Sequence, residues 1–153
     1  MGARFEERLR ELKREADERV RREAAERESL EAARRAAAAE RRESLARIER
    51  SSAELFRAAK SVFGADVAVA PVRRAGARRR LSLSRKPWVL TVETDRSKDS
   101  VAVGASATRP QGRAQVSYIA READPRSVTD AILEDIVAAF LGGEPAPIKI
   151  NWR

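Results

Sequence analysis

Between Pro71 and Lys86 lie seven cations and no acid: Arg73, Arg74, Arg78, Arg79, Arg80, Arg85 and Lys86. The chemistry of such a block is electrostatic rather than covalent. It attracts a phosphate backbone, an anionic membrane surface or an acidic protein. Six of the seven are arginines, whose planar fork grips a phosphate or carboxylate with two hydrogen bonds. No aromatic residue is interleaved with them, which leaves base stacking unsupported. No helix-turn-helix, RRM, KH or zinc-finger signature accompanies them either. Seven phosphate contacts on duplex DNA would give a log–log salt slope of about −6. The window is net +7, against net +3 for residues 1–60 and net −1 for residues 87–153, so it holds most of the excess positive charge.

Covalent and acid–base chemistry has fewer candidates. The 153 residues include no Cys and no His. That removes thiolate nucleophiles, disulfides, Cys/His zinc sites and the Ser-His-Asp triad. Asp95, Ser97, Lys98 and Asp99 bring an acid, a hydroxyl and an amine together, but an exposed β-turn ordinarily contains the same residues. Glu134-Asp135 and Glu122/Asp124 read as a solvated face and a helix-initiating loop rather than metal ligands. No GxGxxG or GxxxxGK[ST] motif occurs, and Gly142-Gly143 reads as a helix terminator. Arg79-Arg80-Leu81-Ser82 and Arg41-Arg42-Glu43-Ser44 look like basophilic-kinase targets, a pattern that arginine-rich chains produce by chance. A non-enzymatic protein without cofactor or metal is the expectation.

Two kinds of element must position the cations. From Ala3 to Phe63 there is no Gly or Pro, whereas residues 64–153 hold all six prolines and six of the seven glycines. The first segment is rich in Ala, Arg, Glu and Leu, and predicts one long helix over 3–63 ended by Gly64. Seven acid-to-base pairs stand at i,i+4, including Glu6–Arg10, Glu18–Arg22 and Glu31–Arg35, each contributing about 0.2–0.5 kcal/mol. Phe5, Leu9, Leu12 and Ala16 match a heptad seam, and so do Leu45, Ile48, Ser52, Leu55, Ala59 and Val62. Val20 breaks the register after Ala16 in the manner of a stutter. Phe5, Leu9, Leu12, Leu45, Ile48 and Leu55 are therefore the expected coiled-coil-like seam, most simply of a homodimer. The alternative for the C-terminal heptads is packing on the chain's own sheet.

Residues 64–153 predict a small α+β domain: an antiparallel β-meander covered by a C-terminal helix. Alternating residues place strands at about 66–72, 78–84, 88–94, 100–108 and 114–120. Val67, Val69, Leu81, Leu83, Trp88, Leu90, Val92, Val101, Val103, Val116 and Tyr118 are its expected core. A helix is expected at about 128–141, capped by Ser127, with an apolar stripe of Val128, Ile132, Ile136, Val137 and Phe140. The tail alternates Ile148, Ile150 and Trp152, an edge strand or docking arm over 148–152.

No run of apolar residues is long enough to span a bilayer, and the N-terminus lacks the apolar region of a secretory signal, so a cytoplasmic location is expected. The expected function is an assembly or adaptor protein that oligomerises through the helix and presents the small domain with its basic loop. The alternative is nucleic-acid binding through residues 73–86.

Overall fold

The structure, a computed structural model, describes residues 2–108 and 114–143, apart from the side chains of residues 108 and 114–118. Residues 109–113 between the fourth and fifth expected strands, the expected edge strand over 148–152 with Trp152, and the side chains of Val116 and Tyr118 lie outside the described residues.

Helix α1 runs from Gly2 to Phe63 without interruption. It ends where expected, at Gly64 in the left-handed region (φ 60°). The Lys60 ammonium donates to the Gly64 and Val67 carbonyls at 2.8 and 2.7 Å, supplying a cation where the helix leaves its carbonyls unpaired. The chain divides into two compact units between Ala39 and Glu40, inside this helix rather than at its end.

In the first unit every described residue is helical, and Phe5, Leu9, Leu12, Val20 and Leu30 are all exposed. The pairs Glu6–Arg10, Glu18–Arg22 and Glu31–Arg35 close to 3.7, 3.9 and 3.7 Å on its surface.

The second unit is the expected α+β domain. Its strands are β1 (Ala68–Ala75), β2 (Arg78–Arg85), β3 (Trp88–Asp95), β4 (Ser100–Thr108) and β5 (Ala114–Ala123). They form one antiparallel meander in the order β1-β2-β3-β4-β5. Helix α2 (Asp130–Leu141) follows. Its cap is Thr129, whose Oγ1 accepts from the Ile132 amide at 3.3 Å, and not Ser127. Ser127 instead belongs to a 3-10 turn, Pro125–Ser127, where its hydroxyl donates to the Asp124 carbonyl at 2.6 Å.

One face of the sheet is buried, and period-two burial along β2, β3 and β4 shows it. Leu81, Leu83, Leu90, Val92, Val101 and Val103 pack with Leu133, Ile136, Val137 and Phe140 of α2. α1 adds Leu45, Ile48, Phe56 and Ala59, and Val67, Ala120 and Val128 complete this core. Leu45 and Ile48 are 1% and 0% exposed within their own chain, which removes them from the expected oligomer seam. A sheet with one apolar face needs a helical cover, and α2 alone has only twelve residues. The stripe also turns at Ser52: Phe56 enters the core while Leu55 is only half-buried against it and Val62 is exposed. Spacing of four after Ser52 keeps to the helical period of 3.6, where the heptad reading used three. Val69, expected in the core, is 38% exposed because β1 is an edge strand.

Candidate docking surface

The basic block, expected as a loop and a flanking strand, is a β-hairpin. β1 continues past Pro71 through Arg73 and Arg74, Gly76 and Ala77 form the turn, and β2 starts at Arg78. Gly76 has φ 60° at the first central position, the conformation that a II′ hairpin turn requires there. Pro71 is tolerated because β1 is an edge strand, and the β1–β2 register shifts beside it, between Ala70 and Arg73.

Strand periodicity then divides the seven cations between two faces. Arg79 and Arg85 share the helix-covered face with Leu81 and Leu83, while Arg78 and Arg80 alternate onto the other. Across the hairpin Arg73 stands opposite Arg80, and Arg74 opposite Arg79. Like charges directly opposite one another are destabilising, so the pairs need counter-charges. β3 and α1 supply them. Arg80 makes a two-pronged contact with Glu93 Oε2, Nε at 3.0 Å and Nη2 at 2.8 Å. Arg78 Nε lies 3.4 Å from Asp95 Oδ2. Arg79 Nη1 donates to Glu49 Oε2 at 2.9 Å, and the same carboxylate accepts from Thr94 Oγ1 at 2.8 Å and Arg96 Nη2 at 3.4 Å.

Arg85 serves the fold in another way. Its guanidinium donates to the carbonyl of Leu141, the last residue of α2, and lies 5.3 Å from the centre of the Phe63 ring at the end of α1. A cation at a helix C-terminus is favourable, and stacking on an aromatic face adds to it. Four of the seven candidate cations are thus engaged inside the domain. Arg73, Arg74 and Lys86 have no hydrogen bond or ion pair among the described residues.

Beside the hairpin a groove of about 410 Å³ runs between α1 and the β1–β2 edge. Ala53, Val72 and Leu81 form its apolar floor, and Arg50, Arg57 and Arg74 its basic rim, with one unpaired acid, Glu54. Val72 is 49% exposed. The sequence pattern missed the contributions of Glu49, Arg50 and Arg57, since they lie on a helix read as a separate rod. Only their spacing of three or four residues from Ala53 on the helix could have drawn attention to them.

The hairpin between β3 and β4 carries the remaining chemistry-bearing cluster. Asp95 Oδ1 accepts from the Ser97 hydroxyl at 2.5 Å and from the amides of Ser97 and Lys98 at 2.9 and 3.3 Å. The Ser97 hydroxyl, then the backbone amides and Arg78, hold the Asp95 carboxyl below its ordinary pKa against an opposing effect of burial. Lys98 Nζ turns to Glu122 at 3.3 Å, away from Ser97. Asp95 caps the turn, and Lys98 pairs with Glu122 rather than with Ser97.

No described helix is long and apolar enough to cross a membrane. Among the described residues no cluster of carboxylates converges to hold a metal ion. Comparison with family models, with curated proteins and with solved structures finds no match to this chain.

Proposed function

We propose that the protein is a non-enzymatic assembly or adaptor protein, associating with a second copy through its N-terminal segment and using the small domain as a docking module. The observation that carries this is a row of large apolar side chains in water. Phe5, Leu9, Leu12, Val20 and Leu30 are 48–65% exposed on a helix whose other residues are mostly charged. Full burial of such a side chain contributes about 1.5–3 kcal/mol, far more than a surface ion pair. With Leu45, Ile48 and Leu55 engaged by the chain's own domain, association rests on Phe5, Leu9 and Leu12, extended by Val20 and Leu30.

Light scattering on the eluting protein tests this. The parent chain is expected above its monomer mass of 17.0 kDa, with Leu9→Glu and Leu12→Glu falling toward it. A monomeric parent, or variants that keep the parental mass, would remove the seam.

A second reading, nucleic-acid binding, is favoured by the three unengaged cations of the basic block. With Arg73, Arg74 and Lys86 as the phosphate contacts, the salt slope falls to about −3 rather than −6.

A further inference from the structure

We infer that the free edge of β1 is a docking site for an acidic, extended peptide, which adds to the sheet as a sixth strand. The inference rests on the docking-module half of the proposed function and names the partner class.

β1 is the first strand of the meander, so among the described residues nothing pairs with its outer edge. An open edge offers unpaired amides and carbonyls to any extended chain, and side-chain chemistry decides which chain is accepted. Here that chemistry is asymmetric. On β2 Arg78, Arg79 and Arg80 are neutralised by Asp95, Glu49 and Glu93. On β1 Arg73 and Arg74 have no counter-charge among the described residues.

Being adjacent in a strand, Arg73 and Arg74 project to opposite faces of the sheet. Their cross-strand partners Arg80 and Arg79 lie on opposite faces too. A peptide laid along Arg73–Ala75 therefore meets one arginine above its plane and one below. Two successive acidic residues on that peptide satisfy both. An apolar neighbour of the acidic pair can settle on the exposed Val72 in the groove, beside Arg57. Pro71 has no amide to donate, which confines main-chain pairing to the residues on either side of it.

Charge also selects among occupants. A second copy of β1 would set arginine against arginine, a destabilising pairing. The chain's own residues 144–153 carry Lys149 and Arg153 against Glu144, a net basic tail that does not complement the site. Of the seven cations between Arg73 and Lys86 a nucleic acid would find three unengaged among the described residues, and these do not form a single row on one face.

The test uses the full chain and a fluorescein-labelled ten-residue peptide of valines and threonines with two successive glutamates at its centre. Anisotropy is expected to show saturable binding. It should weaken about tenfold or more in the double variant Arg73→Glu, Arg74→Glu. The control double variant Arg14→Glu, Arg21→Glu makes the same change in net charge on exposed helix positions and should shift affinity less than about twofold. Circular dichroism and melting temperature check that both variants fold. An N-methylated version of the peptide, unable to donate its amides, should lose binding.

Several results would overturn the inference: no binding up to about 1 mM peptide, equal binding of the N-methylated peptide, or indifference to the β1 charge reversal. Tighter binding of a random DNA duplex through the same two arginines would overturn it in favour of nucleic acid. Self-association is read on the same samples. Leu9→Glu is expected to lower the mass while peptide binding persists, so that failure of the seam and failure of the strand site are told apart.

Discussion

Residues 9–20 and 45–56 belong to one helix and carry the same apolar spacing, yet they face opposite environments. Leu9, Leu12, Ala16 and Val20 are separated by three, four and four residues; so are Leu45, Ile48, Ser52 and Phe56. The second set is 0–1% exposed in the core, while Leu9, Leu12 and Val20 are 48–65% exposed. Periodicity makes both segments adhesive. Flanking charge decides what each can adhere to. Arg47 donates to Asp130 at 2.6 Å and to the Val128 carbonyl at 2.5 Å, and Glu49 accepts from Arg79, Thr94 and Arg96. At the equivalent places in the first segment stand Glu11 and Lys13, with both charges inverted. Docked on the same sheet, residues 9–20 would set a carboxylate toward Asp130 and an ammonium toward Arg79 and Arg96. The charges beside the C-terminal stripe thus match this sheet, and those beside the N-terminal stripe do not.

The largest expected effect comes from truncating the two stripes in parallel. Phe56→Ala should destabilise the small domain by about 3–5 kcal/mol, since a fully buried aromatic leaves a cavity. Val20→Ala, on the exposed stripe, should leave that domain within about 0.5 kcal/mol of the parent. Urea denaturation followed by tryptophan fluorescence reads both. Equal losses in the two variants would mean that both stripes support the domain, and the distinction between them would fail.

Exchanging charge instead of apolar volume is the sharper and smaller test. Glu49→Lys writes the residue found at position 13 into position 49. The buried Thr94 hydroxyl loses its acceptor and two arginines lose their counter-charge, which should cost about 2–4 kcal/mol. Lys13→Glu, the reverse exchange, should leave the domain unchanged by the same denaturation assay. A Glu49→Lys variant as stable as the parent would show that apolar spacing alone fixes which segment docks.

How far the sequence discloses this molecule follows from the same pair of segments. The long helix, the five-stranded meander and the covering helix were legible because Gly and Pro punctuate them and because strand and helix periods differ. The ends of β1 were not: the expected strand stopped at about 72, beside Pro71, whereas an edge position lets β1 continue through the proline to Ala75. The partner of the C-terminal heptads was not legible either, because heptad spacing and packing on a sheet share the steps from Leu45 to Ser52. Phe56 marked the difference, by keeping the 3.6 period where a seam would have used Leu55. For the basic block, composition located the arginines but could not subtract Glu49, Glu93 and Asp95, whose distance in sequence hides their proximity in space. Ser127 was the expected cap by type, but the 3-10 turn at Pro125–Ser127 occupies it and leaves the cap to Thr129.

The smallest expected effect concerns pH, and it again separates the two segments. Asp124 accepts from the guanidinium and the amide of Arg126, with Arg41 of α1 3.8 Å away. The Arg126 side chain, then its amide and the two positive charges, hold the Asp124 carboxyl down at about 2 against an ordinary 3.8, with burial opposing them. A carboxyl with a depressed folded pKa contributes stability that is complete above about 3.8 and lost as pH falls toward 2. The shift of nearly two units would correspond to ~2.5 kcal/mol if unscreened. The Asp124 side chain is 40% exposed, so a screened contribution of about 0.5–1 kcal/mol is expected. Asp124→Asn keeps an oxygen to accept from the Arg126 amide and removes only the charge. It should therefore destabilise the domain by that amount at pH 7, and the deficit should close between pH 4 and pH 2. Glu6→Gln removes a carboxylate 3.7 Å from Arg10 on the first segment, where both side chains are more than half exposed. That change should leave the acid transition of the domain where it is in the parent. A deficit in Asp124→Asn that persists unchanged at pH 2 would assign the effect to lost hydrogen-bond geometry, and the ion pair would then contribute nothing to holding α1 against the turn before α2.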